Sequence, residues 1–305
     1  MELVAQKAAV GQLQSEYAFS QRRACGLLLV AVGTFRYQRR RDDEPLRRRL
    51  VELARERPRF GYRRLHVMLQ RDGTRVNHKR LHRVYRECGL MIRRRKRKHC
   101  VRQGQPPVAR TAPNQEWALD FVHDRTEYGR TLRWLTVGEA FTREGLALEV
   151  DTSFPSRRVT RVLDAIAAKR GLPTYIRCDN GPELTSRHFL AWAIERGVEL
   201  LHIPPGKPTQ NGRAESFNGK VRDEYLNTTV FLNLFDARAK ASRYLRDYNE
   251  VRPHSSLGYL TPAEFAAKQA PFYSQGAGQE ASNAGRLPRT PIPAQPAGLT
   301  KVVSM

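Results

Sequence analysis

The chain is short of acid, of cysteine and of long apolar runs, and each shortage excludes a class of protein. Lys and Arg number 54 against 30 Asp and Glu, a formal net charge of +24 on 305 residues. A surplus on that scale points away from basic partners and toward a polyanion, whose counterions it displaces. The four cysteines, Cys25, Cys88, Cys100 and Cys178, include no Cys-x-x-Cys pair. Their spacing excludes a disulfide framework, and Cys88, His99 and Cys100 with His78 or His82 fit no familiar zinc finger. No stretch approaches the roughly 18 apolar residues that span a bilayer. The run from Gly26 to Gly33 is too short, and follows Arg22 and Arg23 too far into the chain for a signal peptide. The sequence therefore predicts reduced thiols, no membrane and an intracellular location.

The positive charge is unevenly spread. Residues 1–110 hold 29 Lys and Arg against 9 acids, whereas residues 111–305 hold 25 against 21. The first third is expected to grip phosphate and the remainder to do something else. The length allows two or three domains, each with its own core. Breaks in composition place them at residues 1–44, a helical segment with a candidate helix-turn-helix, and 45–100, a basic helix-turn-helix-like region. Residues 101–112 form a proline-containing linker, 113–268 a mixed α/β region, and 269–305 a Gly/Ala/Pro/Gln tail expected to be disordered.

In the basic region, Pro45 opens a helix over Leu46–Arg57, and a second spans Arg63–Gln70. Asn77 is placed to cap a third, His78–Cys88. There Leu81, Val84 and Tyr85 would face inward, and Lys79, Arg80, Arg83 and Arg86 outward. Helix, turn and basic helix is the build of a major-groove reader. The run Arg93, Arg94, Arg95, Lys96, Arg97, Lys98 reads as a phosphate clamp. Beyond the linker, three strands (Trp117–His123, Trp134–Gly138, Gly145–Val150) precede a helix, Arg157–Lys169. A short strand, Tyr175–Cys178, a helix, Ser186–Arg196, a strand, Val198–Ile203, and a long helix, Asn211–Leu226, follow.

Three acids stand at ends or centres of these elements: Asp120 in E-W-A-L-D-F-V, Asp179 in I-R-C-D-N-G-P-E and Glu215 in Q-N-G-R-A-E-S-F-N-G-K, with 35 residues between the last two. Any one alone could be a turn former or a surface charge. On so basic a chain, three carboxylates beside strand ends form a candidate site for divalent ions, hard cations that take oxygen ligands.

The spacing and words of this trio resemble the D,D(35)E pattern of insertion-sequence transposases and retroviral integrases. The match is nearest the second-frame product of the IS-three-like group and runs from about Phe60 to Phe265. F-G-Y-R-R-L, V-N-H-K-R-L-H-R-V-Y-R-E-C-G-L and the segment Tyr248–Phe265 also carry it. The resemblance implies a ribonuclease H-like integrase catalytic core, with Asp120, Asp179 and Glu215 both catalytic and metal-ligating. Two magnesium ions are implied, manganese being a substitute. It implies DNA contact by Arg222, seven residues after Glu215, with Gln210 and Asn211 placing the DNA end and Lys207 in a loop over the site.

The implied reaction is strand cleavage at element ends followed by strand transfer by the 3′-hydroxyl. Implied partners are double-stranded DNA (terminal inverted repeats and target), a second copy in a synaptic complex and an upstream-frame product, either separate or fused by frameshifting. The implied setting is a bacterial cytoplasm, at the nucleoid when bound to DNA. His254 is expected to be structural. Gly138, Glu139 and Ala140 depart from the family pattern, as do Leu184, Pro204 and Arg213. Those departures leave room for a second reading, an inactive DNA-binding repressor, and a ribonuclease H-type nuclease is a third.

Overall fold

In a computed structural model, residues 3–37, 42–92, 110–203 and 212–274 are described, those at 213, 214 and 270–274 by their backbone. They fall into two compact units. The first is all helical. Helices α1 (Leu3–Tyr17), α2 (Gln21–Leu27) and α3 (Val32–Arg36) gather around Val10, Ala24 and Cys25. Helices α4 (Glu44–Glu56), α5 (Tyr62–Arg71) and α6 (His78–Glu87) share a separate core of Leu46, Leu50, Leu53, Phe60, Leu65, Leu69, Leu81, Val84 and Tyr85. The Asn77 side chain accepts the Lys79 backbone N–H at 2.8 Å and starts α6. A cap of this kind contributes about 1 kcal/mol.

The second unit is built on a five-stranded sheet. Strands β1 (Glu116–Arg125), β2 (Thr131–Glu139) and β3 (Gly145–Asp151) form an antiparallel meander. Helix α7 (Ser156–Arg170) then crosses to β4 (Tyr175–Cys178), and α8 (Arg187–Glu195) to β5 (Glu199–His202). Both late strands run parallel to β1, giving the order β3-β2-β1-β4-β5. The chain continues through α9 (Gly212–Glu224), α10 (Leu234–Glu250) and α11 (Pro262–Ser274).

Strand alternation decides which helix meets which face. Trp117, Leu119, Leu135 and Val137 pack on Val159 and Leu163 of α7 and on Phe189 and Trp192 of α8. Val122, Leu132, Trp134, Leu148 and Val150, on the opposite face, pack on Phe217 and Val221 of α9 and on Ala237, Ala241 and Tyr248 of α10. Burying each large apolar side chain stabilises by roughly 1.5–3 kcal/mol. The two layers clamp the sheet, with β1 at its centre.

Close approach at the start of β3 requires glycine. A Cβ on Gly145 would lie 2.7 Å from Leu245 Cδ1 and 2.8 Å from Phe217 Cζ. The Asn249 amide of α10 both accepts from the Gly145 N–H and donates to its carbonyl, at 2.9 and 2.8 Å. Glu139, at one of the departures from the family words, is 3% exposed. Its Oε2 accepts the N–H groups of Phe141 and Thr142, and so closes the turn into β3. The register shifts between Val137 and Gly138.

Helices α10 and α11 lie where the sequence patterning assigns no element. Thr261 and Glu264 cap α11 reciprocally: Thr261 Oγ1 accepts the Glu264 N–H at 3.1 Å, and Glu264 Oε2 accepts the Thr261 N–H at 2.7 Å.

Candidate nucleic-acid-processing site

Asp120 sits mid-way along the central strand. It alternates with Leu119 and Phe121, so its carboxylate faces α9 rather than α7 and α8. There the Asn218 amide of α9 donates to Asp120 Oδ2 at 2.7 Å, and the Phe121 N–H donates to Oδ1 at 2.7 Å. Across the ladder Thr136 is its partner, and the Thr136 hydroxyl donates to the Asp120 carbonyl at 3.0 Å. Burial pushes the Asp120 carboxyl above its ordinary value, and the charges of Asp179 and Glu215 push it further; the two hydrogen bonds oppose them. Both other acids thus act electrostatically on the first.

Asp179 follows the last residue of β4, half-buried, and its Oδ1 accepts the Gly181 N–H at 3.1 Å. Glu215 is exposed in the first turn of α9. Residues 215, 218 and 222 are three and four apart, the spacing of one helix face. Arg222 donates to the His123 carbonyl of β1 at 3.2 Å. Lys220 turns back along the helix, to the Ser216 carbonyl and hydroxyl at 3.1 and 2.8 Å. Among the described residues, no three acid, histidine or cysteine side chains are gathered closely enough to hold a metal ion.

Lys207, Gln210 and Asn211 lie outside the described residues, as do Arg93, Arg94, Arg95, Lys96, Arg97 and Lys98. In α6, Lys79 and Arg86 are exposed, as the patterning predicts. Arg80 and Arg83 are half-exposed and tied down at the same time. They bond Asp43 at 2.8 and 2.9 Å, and Arg83 also pairs with Glu87. Asp43 is 8% exposed, and a carboxylate so placed needs cationic partners.

His254 is 6% exposed, with Nδ1 2.9 Å from the Ser256 hydroxyl and its ring against Tyr248. His123 is exposed and His202 half-buried, its Nδ1 3.4 Å from the Asp179 carbonyl. Leu184 is fully buried among the residues under α7 and α8.

Asn218 is a site residue that the sequence reading misses. Its spacing of three from Glu215 is the available signal, since that places both on one side of α9.

The order β3-β2-β1-β4-β5 with these flanking helices is the ribonuclease H-like architecture. Two Integrase core domain models match residues 110–208 and 196–262, and an HTH-like domain model matches residues 40–98. The chain is 48% identical over 259 residues to the "Insertion element IS407 uncharacterized 31.7 kDa protein" of Burkholderia multivorans, covering 84% of this chain and 94% of the relative. It is 43% identical over 262 residues to the "Insertion element IS476 uncharacterized 39.2 kDa protein" of Xanthomonas euvesicatoria, covering 85% and 76%. Over 182 residues it is 28% identical to the "Putative transposase InsD for insertion element IS2E" of Escherichia coli, covering 57% and 81%. With a sheet of that order, an integrase core and an HTH-like region in one chain, this protein belongs to the IS-three-like insertion-sequence transposases of the integrase-core superfamily.

Proposed function

We infer that the chain cuts DNA strands at the ends of an insertion sequence and joins them to a target, with Asp120, Asp179 and Glu215 as its catalytic acids. The observation that carries this is geometric: Asn218 of α9, the helix that bears Glu215, is bonded to Asp120 on the central strand, and Asp179 follows β4, which pairs with that strand. The donor set suits a hard divalent cation such as magnesium or manganese: all three side chains offer carboxylate oxygens, and like charges on a partly desolvated Asp120 favour a positive neighbour. When bound, such ions polarise a phosphodiester and make water or a hydroxyl a stronger nucleophile.

The chain's own residues do the rest. Asn218 and the Phe121 N–H fix the rotamer of Asp120, and the Gly181 N–H fixes that of Asp179. Arg222 extends the same face of α9 with a cation suited to DNA phosphate. One strand is cut to leave a 3′-hydroxyl, which then attacks a second phosphate in line, with no covalent protein intermediate. Lys79 and Arg86 of α6 supply exposed cations for DNA contact, and the run 93–98 supplies more.

In this reading residues 45–100 bind DNA behind a helical segment, 1–44, that offers a candidate helix-turn-helix; 101–112 link, 113–268 catalyse, and 269–305 are dispensable for chemistry, although 269–274, expected to be disordered, complete α11. Partners are duplex DNA, a second copy in the synaptic complex and an upstream-frame product. The setting is the bacterial cytoplasm. Among the described residues no helix is long and apolar enough to cross a membrane.

Magnesium-dependent nicking and joining on DNA bearing the terminal repeats is the test. Both are expected with the native chain and absent in Asp120→Asn. Binding without chemistry, unaltered by that substitution, would identify a repressor instead.

A further inference from the structure

An ion pair outside the acidic trio reaches the loop that holds Asp179. Arg133 lies on β2, on the face toward α7 and α8, and its guanidinium sits 3.9 Å above the Phe121 ring. From there it donates to Glu183, four residues past Asp179. Both side chains are largely buried, at 21% and 16% exposure.

The loop between β4 and α8 is otherwise short of freedom. Leu184 is sunk in the core, and the Gly181 carbonyl accepts from the N–H groups of Leu184 and Thr185 at 2.9 and 3.0 Å. Asp179 and Glu183 flank the same point. A Cβ placed on Gly181 would lie 3.1 Å from Asp179 Oδ1 and 3.2 Å from Glu183 Oε2. Glu183 Oε2 is buried and accepts no hydrogen bond among the described residues. Without Arg133 that carboxylate would repel Asp179, and without the carboxylate the loop would lose its charge-assisted tie to β2 and leave the largely buried guanidinium without its acid; either loss favours a turned-out loop.

We propose that Arg133 and Glu183 are a positioning pair: by neutralising and fixing Glu183, Arg133 holds the loop in the conformer that aims Asp179 at Asp120. The pair acts through Asp179. The proposal rests on the reading of Asp179 as a cation ligand. Outer partners of metal-binding carboxylates tune affinity by about 10–100-fold.

The test uses the full chain with Mn2+ alone, read by the loss of the free-ion paramagnetic resonance signal, alongside the thermal midpoint of each variant. Arg133→Met keeps the apolar stem over Phe121, Glu183→Gln keeps the shape, and Arg133→Lys keeps the charge. The first two are expected to raise the Mn2+ dissociation constant at least about tenfold, and Arg133→Lys to restore most of it. A packing role would lower the thermal midpoint and leave the Mn2+ affinity of the folded fraction unchanged. That result in Glu183→Gln, the mildest variant, overturns the proposal even if Arg133→Met fails to fold. Asp179→Asn separates the two ideas. If it binds Mn2+ like the native chain, the reading of the acidic trio fails. If it loses binding while Glu183→Gln does not, only the positioning pair fails.

Discussion

The helical unit and the sheet unit use charge in opposite ways. In α6 cations are kept at the surface, and the one buried acid nearby, Asp43, draws Arg80 and Arg83 inward. In the sheet unit, acids go inside and arginines follow them. Glu116, 3% exposed, is bracketed by Arg110 and Arg177, and Arg252, 2% exposed, grips Glu224 through two bonds of 2.6 Å. A surface that binds phosphate needs loose, hydrated cations, while a site that must aim carboxylates needs fixed ones. The comparison teaches that net charge alone does not locate the chemistry: the more nearly neutral part holds the acids.

The contrast is broken most severely at the trio. Asp120→Asn is expected to cut strand cleavage about a thousandfold or more, several kcal/mol of transition-state stabilisation, while leaving the affinity for terminal-repeat DNA unchanged. Gel-based cleavage and binding assays on the same DNA check both halves.

Next in size is Arg252→Met, which takes both guanidinium bonds from Glu224, a side chain only 9% exposed. A loss of about 3–5 kcal/mol is expected from chemical denaturation. No such loss is expected in Lys79→Ala of the helical unit.

Glu116→Gln sharpens the same point with pH. Burial alone would raise the Glu116 carboxyl, but hydrogen bonds and charge from Arg177 and Arg110 outweigh it and hold it below its ordinary 4.5. A lowered acid stabilises the fold fully above its unfolded value, and that contribution is lost as pH falls through the folded value. The native chain should therefore lose stability below about pH 4.5 more steeply than Glu116→Gln, whose melting profile flattens there.

Smaller still, Lys79→Ala with Arg86→Ala should lower the slope of log affinity against log salt by about 1 for each phosphate that these side chains neutralise. Cleavage at saturating DNA should stay unchanged. Asn77→Ala, which removes the cap of α6, should cost about 1 kcal/mol in the helical unit.

Much of this architecture is legible in the residues themselves. The meander, both crossovers and the three acids follow from period-two strands, proline and glycine stops and the family words. Helix α10 is not, because its inward face is mostly small: Ala237 and Ala241 precede Tyr248, and such a stripe gives little contrast against loop composition. The bonds of Arg80 and Arg83 to Asp43 are missed for a different reason. Periodicity assigns a face, but the pull of Asp43, some 40 positions upstream, is a tertiary fact. The pairing of Asn218 with Asp120 needs the register of β1 against α9, which no local pattern encodes.

Helix α9 is built into the sheet along one side by Phe217 and Val221, and along the other it presents an acid, an amide and a guanidinium in consecutive turns. At about 1.5 Å per residue, the backbone positions that carry the guanidinium and the acid lie some 10 Å apart along the helix, close to three nucleotide steps of a DNA strand. Because packing forbids the helix to slide, that interval is a fixed ruler. In the proposed reaction, wherever the acid meets the scissile bond the cation would mark a point about three nucleotides off, whatever the bases between them.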